Sequence, residues 1–219
     1  MFNKDAWEAI RSNCEKNGAR LCAVTKTRSR EEILALYATG QRVMGENRVQ
    51  DLMDKKDQLP ADIEWHLIGH LQRNKVKYIA PFIRCIHGVD SLRLLQMIDK
   101  EAEKNDRIID YLIQFHIAEE DSKFGVQTNK ANSFIQEVLR ENFTHVRLRG
   151  LMGMASFVDN NEQVKNEFKK LKTIFDYYKE NYFAEDVYFD TLSMGMSGDY
   201  QLALTMGSTM VRVGSRLFG

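Results

Sequence analysis

The chain has 219 residues, 43% of them hydrophobic, which is enough to bury a full core, so we predict a single domain over residues 1–219. Its 31 basic residues balance 31 acidic ones, so no net charge attracts it to nucleic acid or to an anionic membrane. No uncharged run approaches the roughly 20 residues that span a bilayer.

Short apolar runs alternate with longer amphipathic stretches along the chain. A helix is predicted near residues 5–17, then a buried strand at 21–26, then a helix near 30–38 that Ser29 is placed to cap. Further strands are predicted at 41–44, 64–69, 82–87, 111–117, 146–152, 187–192 and from Met210, with helices near 48–58, 72–79, 91–104, 129–140 and 161–182.

This alternation predicts an α/β fold. Strands that alternate with helices at this spacing pair in parallel through right-handed crossovers. Eight such units favour closure into a single (β/α)8 barrel of the TIM type over a doubly wound sheet. The first predicted helix precedes the first strand, so it is an extra N-terminal helix.

Active sites of such barrels lie at the carboxyl ends of the strands, which draws attention first to Lys26. A lysine amine desolvated inside the barrel mouth is a competent nucleophile toward an aldehyde. The alternative is a strand-end lysine whose amine reaches solvent, and position alone favours that alternative.

The last two strand ends predict an anion site. Ser193 and Ser197 lie in a loop that leads into a helix near Asp199, and Gly214 and Ser215 follow the last strand. In barrels the loops after strands seven and eight often share one phosphate. Taken alone, Ser197 is better explained as a helix cap and Gly214 as a turn glycine, so the prediction depends on their pairing.

Arg212 lies between Val211 and Val213, an alternation that favours a side chain inside the barrel over one at the surface. A buried arginine needs a partner. No strand-end cluster has the ligand spacing of a metal site, so we expect no metal. The three cysteines are an odd number without CxxC spacing, which disfavours a disulfide framework and favours a reducing, cytoplasmic location.

Five ordered motifs resemble, in order and spacing, those of the pyridoxal phosphate homeostasis protein family. They are AVTKT from Ala23, GENRVQ from Gly45, WHLIGHLQRNK from Trp65, LSMGMS from Leu192 and VRVGSRLFG from Val211. Together they cover nearly the whole chain. Lys123–Phe124–Gly125 also resembles the strand-five loop of racemases, although a solvated turn lysine explains it equally well.

The resemblance implies a barrel like the N-terminal domain of alanine racemase. It implies a pyridoxal 5'-phosphate (PLP) Schiff base on Lys26, phosphate contacts from Ser193, Gly214 and Ser215, and Arg212 near the pyridine nitrogen. It also implies that Asn47 lies beside the cofactor. Full racemases use a second acid or base from an added β-domain, and we expect none here, since the sequence stops at Gly219.

We therefore expect a monomeric, non-catalytic PLP carrier or regulator in vitamin B6 homeostasis, with PLP-dependent apo-enzymes as recipients. One alternative is a PLP-dependent amino-acid racemase that uses Lys26 as its only base. Another is a Schiff-base aldolase or a barrel that binds a different phosphate ligand.

Overall fold

The computed structural model describes residues 1–119 and 124–219. Its helices are α1 Lys4–Lys16, α2 Arg30–Tyr37, α3 Val49–Lys56, α4 Val76–Ile79, α5 Leu92–Lys104, α6 Ala131–Arg140, α7 Asn161–Asn181 and α8 Tyr200–Thr205. Its strands are β1 Arg20–Val24, β2 Val43–Glu46, β3 Glu64–Leu67, β4 Cys85–Val89, β5 Ile109–His116, β6 Val126–Gln127, β7 Val146–Gly153, β8 Thr191–Ser193 and β9 Met210–Val213.

The strands close into a parallel barrel. Neighbours around the ring are β1, β2, β3, β4, β5, β7, β8 and β9, and β9 pairs with β1 to complete it. The two-residue strand β6 lies outside the ring and pairs with the carboxyl end of β5. The predicted eight-stranded barrel is thus confirmed.

The register of the closing pair brings the two ends of the chain together. Cys22 on β1 lies opposite Arg212 on β9, and Ala23 lies opposite Val213. Since both strands run in the same direction, the loop that carries Lys26 and the loop that carries Gly214 leave the barrel at the same end.

The helices pack an apolar face on the barrel and expose a charged one. On α5, the residues Leu94, Leu95, Ile98 and Ala102 are buried at helical spacing. Ser29 caps α2 as predicted, because its hydroxyl accepts from the Glu32 backbone N–H while the Glu32 carboxylate accepts from the Ser29 N–H. No helix among the described residues is both long and apolar enough to cross a membrane.

The predicted extra N-terminal helix is present as α1. It buries Trp7, Ile10 and Cys14. Its start is joined to the C-terminal segment by the Asn3 backbone N–H, which donates to the Leu217 carbonyl at 2.8 Å. The helix therefore covers the side of the barrel where the first and last strands meet.

The predicted strand at 187–192 is displaced in the structure. The strand β8 begins only at Thr191, and Val187 and Tyr188 lie in a turn, 79% and 47% exposed. Phe189 explains the difference, because its ring stacks on Phe183 at a centroid distance of 4.4 Å. The run has strand propensity, but its aromatic residue packs beneath α7 before the barrel strand starts.

Candidate functional site

The carboxyl ends of the barrel strands surround a cavity of about 950 Å³. Of the residues predicted from the sequence, six line this cavity: Lys26, Asn47, Ser197, Arg212, Gly214 and Ser215. Ser193 does not line it. Because barrel enzymes and cofactor-binding barrels place their sites at this end, we take the cavity as the candidate functional site.

Lys26 lies two residues beyond the end of β1 and its side chain is exposed at the cavity wall. Of the two alternatives that the sequence left open, a desolvated amine and an amine that reaches solvent, the exposed side chain matches the second, because the strand ends at Val24 and the chain has left the barrel interior by Lys26. No hydrogen bond or ion pair joins the Lys26 amine to another residue in the described part of the chain. The amine is thus accessible for reaction.

A buried carboxylate fixes the backbone just before Lys26. The Thr25 hydroxyl donates to Glu46 Oε1 at 2.6 Å, and the Lys55 ammonium donates both to Glu46 Oε1 at 2.6 Å and to the Thr25 carbonyl at 2.8 Å. Burial raises the pKa of the Glu46 carboxyl, while Lys55 and Thr25 act in the opposite direction. The sequence analysis did not single out this cluster, since its members come from three separate elements.

Arg212 is only 3% exposed and faces the cavity from β9. Its Nη1 donates to the Ser193 carbonyl at 2.9 Å and to the Ser193 hydroxyl at 2.6 Å, and its Nη2 donates to the Gly153 carbonyl at 3.1 Å. Burial lowers the pKa of the guanidinium from its ordinary value. Within the described residues these acceptors are all uncharged, so the predicted partner of the buried arginine is a set of neutral oxygens.

Ser193 lies behind Arg212, fully buried at the end of β8. Besides accepting from Arg212, its hydroxyl lies 3.3 Å from Nδ1 of His87. The structure thus places Ser193 inside the barrel, although the sequence predicted that it would contact a phosphate. The other predicted phosphate residues, Gly214 and Ser215, are at the cavity wall.

Three potential metal ligands also meet inside the barrel. The ligand atoms of His66, Cys85 and His87 all lie within 4.8 Å of one another. However, His66 Nδ1 and His87 Nε2 are 2.9 Å apart, a hydrogen-bond distance that requires a proton between them. Both imidazoles are thus committed to a hydrogen bond, and we assign no metal to this cluster.

The two loops predicted to share an anion are joined to each other. The Gly214 backbone N–H donates to the Ser197 hydroxyl at 3.2 Å, and Arg216 Nε donates to the Ser197 carbonyl at 2.7 Å. Gly195 permits the turn that leads to Ser197, because its φ of +94° and the 2.5 Å from its ideal Cβ to that of Ala203 exclude a side chain. The anion role of these loops stays a prediction.

The cavity wall also contains residues to which the sequence analysis assigned no role in cofactor binding. His70 stacks on Phe124 with ring centroids 4.2 Å apart, and Phe157 is 91% exposed at the rim. Their positions after β3, β5 and β7 were the available signal, since strand-end loops form the mouth of a barrel. Lys123, next to Phe124, lies outside the described residues.

Comparison with known proteins places this geometry in a family. Residues 4–219 match the family model described as alanine racemase, N-terminal domain. A protein of Aquifex aeolicus (strain VF5) called pyridoxal phosphate homeostasis protein is 37% identical, over 97% of this chain and 93% of its own length.

Solved structures agree with this placement. The PipY protein of Synechococcus elongatus PCC7942, solved with PLP bound, is 30% identical with a TM-score of 0.86, over 98% of this chain and 99% of that one. The alanine racemase of Clostridium difficile 630 shares the fold at 16% identity and a TM-score of 0.78, with this chain covering 57% of it. Since both the family model and the Aquifex relative extend over nearly the whole chain, the chain belongs to the alanine racemase N-terminal domain family and, within it, to the pyridoxal phosphate homeostasis proteins.

Proposed function

We propose that this protein binds PLP covalently and reversibly through Lys26 and serves vitamin B6 homeostasis without turning over a substrate. The observation that carries the proposal is the pairing of an accessible amine, Lys26, with a buried arginine, Arg212, on the walls of one cavity of about 950 Å³. A ligand with an aldehyde, a ring nitrogen and an anionic group fits this cavity. The aldehyde would meet Lys26, the ring nitrogen would meet Arg212, and the anionic group would meet the adjoining serine loops.

The residues of the cavity fit the parts of this cofactor. The Lys26 nitrogen would form a C=N bond with the aldehyde carbon, and the aldehyde oxygen would leave as water. Ser197 and Ser215 offer hydroxyl groups for the phosphate, and the Gly214 backbone N–H, which donates to the Ser197 hydroxyl, lies beside them. Arg212 would face the ring nitrogen, and Asn47 would lie beside the ring.

Three features support a carrier over an enzyme. PLP supplies an electron sink for carbanions when its ring nitrogen is protonated, and a permanently charged Arg212 at that nitrogen disfavours the proton. In addition, Lys26 and Phe157 are exposed, so the cavity does not exclude water as closed active sites do. No tyrosine among the described residues lines the cavity as a second acid or base.

The same openness suits transfer of the cofactor to PLP-dependent apo-enzymes, which we propose as recipients. We also propose a monomer, as expected from the sequence, to be checked by light scattering. The three cysteines are buried and unpaired, which is consistent with a cytoplasmic location.

The test is covalent labelling. The purified protein would be mixed with PLP, its absorbance spectrum recorded, and the bound cofactor reduced with borohydride before peptide mapping. We expect the reduced adduct on Lys26 and its loss in Lys26→Ala. The matched control is Lys75→Ala, because Lys75 lines the neighbouring groove that shares Asn47 and His70 with the cofactor cavity. An adduct on another lysine, or none, would contradict the proposal.

A second assay separates the carrier from the enzyme. The loaded protein is incubated with L-alanine, and D-alanine is measured over many cofactor equivalents. We expect no sustained D-alanine formation, together with reactivation of an added PLP-dependent apo-enzyme. Steady D-alanine formation that Lys26→Ala abolishes would favour the racemase.

A further inference from the structure

The barrel interior contains a hydrogen-bonded chain of side chains that begins at Arg212 and leads away from the cavity. Arg212 Nη1 donates to the Ser193 hydroxyl at 2.6 Å. That hydroxyl is 3.3 Å from His87 Nδ1, and His87 Nε2 is 2.9 Å from His66 Nδ1. These four residues come from β9, β8, β4 and β3, and none is more than 5% exposed.

The direction of this chain follows from the donor capacity of its members. Arginine can only donate, so the Ser193 oxygen accepts from Arg212. The Ser193 hydroxyl proton then needs an acceptor. Among the described residues, the other side-chain group in contact with this hydroxyl is His87 Nδ1. A neutral imidazole that accepts at Nδ1 carries its proton on Nε2, so His87 donates to His66 Nδ1.

Each hydrogen bond in this series has its acceptor atom on the side farther from Arg212 and its donor on the nearer side. Aligned hydrogen bonds polarise one another, so the donation from Ser193 to His87 strengthens the Ser193 oxygen as an acceptor for Arg212. A buried guanidinium needs such compensation because no carboxylate pairs with it among the described residues. The groups that accept hydrogen bonds from the guanidinium in the described residues are neutral, so they orient it without an ion pair.

We propose that Ser193, His87 and His66 are positioning residues that hold the Arg212 guanidinium oriented toward the ring nitrogen of the bound cofactor. None of the three touches the cofactor cavity. This inference rests on the proposed PLP function, and its test therefore includes a measurement on the protein without cofactor.

The first measurement uses the cofactor-free protein labelled with 15N-histidine. Two-bond correlation spectra at neutral pH should show both His87 and His66 as neutral imidazoles with the proton on Nε2. In Ser193→Ala, the His87 Nδ1 signal should move, because the nitrogen loses its donor. A proton on His87 Nδ1 in the wild-type protein would overturn the proposed direction, whether or not PLP binds.

The second measurement is PLP affinity and the absorbance band of the loaded protein. Ser193→Ala should weaken PLP binding about tenfold, the equivalent of roughly 1.4 kcal/mol, and shift the band, because the guanidinium loses a charge-assisted hydrogen bond. Ser193→Thr retains a hydroxyl and should restore both values.

Ser208→Ala is the matched control. Ser208 is equally buried, but its hydroxyl contacts only backbone carbonyls, among them that of Met194 at 2.8 Å. Ser208→Ala should lower stability and leave PLP affinity, the absorbance band and the His87 signal unchanged. If Ser193→Ala and Ser208→Ala behave alike in these three readouts, Ser193 is structural and the proposal fails. If the wild-type protein forms no Lys26 adduct while the histidine tautomers are as expected, the proposed PLP function fails. The hydrogen bonds from Arg212 through Ser193 and His87 to His66 are then still confirmed.

Discussion

Acid should destabilise this protein through the two histidines of the barrel interior. Burial lowers the pKa of His66 to about 3 and that of His87 well below its ordinary value. In the unfolded chain each titrates near 6.5, so as the pH falls the unfolded state takes up protons that the folded state does not. Stability is therefore fully present above about pH 6.5 and is lost as the pH falls toward the folded pKa.

The magnitude follows from the unfolded pKa near 6.5, because burial keeps both folded imidazoles neutral over the pH window. Between about pH 7.5 and 5.5, one histidine that stays neutral in the folded state removes about 1.4 kcal/mol from the free energy of unfolding, and two remove about 2.7 kcal/mol. Carboxylates with a lowered pKa, such as Asp190, contribute mainly below about pH 5. Burial raises the pKa of the Glu46 and Asp90 carboxyls, which act in the opposite direction, so the histidine contribution is taken from the difference between the wild-type protein and a histidine variant.

Urea unfolding at a series of pH values measures this loss. His66→Gln removes one of the two buried imidazoles. The free energy of unfolding of this variant should therefore fall about half as much as that of the wild-type protein over the same pH window. His145→Gln is the control, because His145 is only half-buried, outside the barrel interior, and this variant should retain the wild-type loss. A loss in His66→Gln that differs from the wild-type loss by less than about 0.5 kcal/mol would refute the reasoning.

Two further substitutions test the walls of the site and its support. In Gly69→Ala the new Cβ would lie 2.3 Å from the Asn47 carbonyl, so Asn47 must move. PLP affinity, measured by spectroscopic titration, should then fall about tenfold. Gly198→Ala is the control and should retain the wild-type affinity, because its new Cβ has nothing within 4 Å. Affinity retained in Gly69→Ala would show that Asn47 does not matter for binding. Tyr178→Phe removes a 2.7 Å hydrogen bond from the buried Tyr178 hydroxyl to the first carbonyl of α6, and urea unfolding should show a loss of about 1 kcal/mol with PLP affinity unchanged. An unchanged midpoint would show that the bond contributes nothing.

Local patterns in the sequence predict much of the fold and several of the residues that line the cavity. The amphipathic period of α5 and the cap at Ser29 are properties of short segments, and both are found as predicted. Lys26 could be selected because it is a charged residue at the end of an apolar run, and Arg212 because it lies between two valines of a strand. Val187 shows the limit of such patterns, since strand propensity cannot report that a neighbouring aromatic ring packs beneath a helix.

The sequence by itself determined the alternation of strands and helices, and hence which residues end the strands and meet at the mouth of the barrel. Only the tertiary structure decided what lies behind them. Closure of β9 on β1 sets Cys22 opposite Arg212, and the inward faces of β3, β4 and β8 bring His66, His87 and Ser193 into one chain. The physical reason is that a buried arginine takes its acceptors from whichever strands surround it in space, and sequence spacing does not encode those distances.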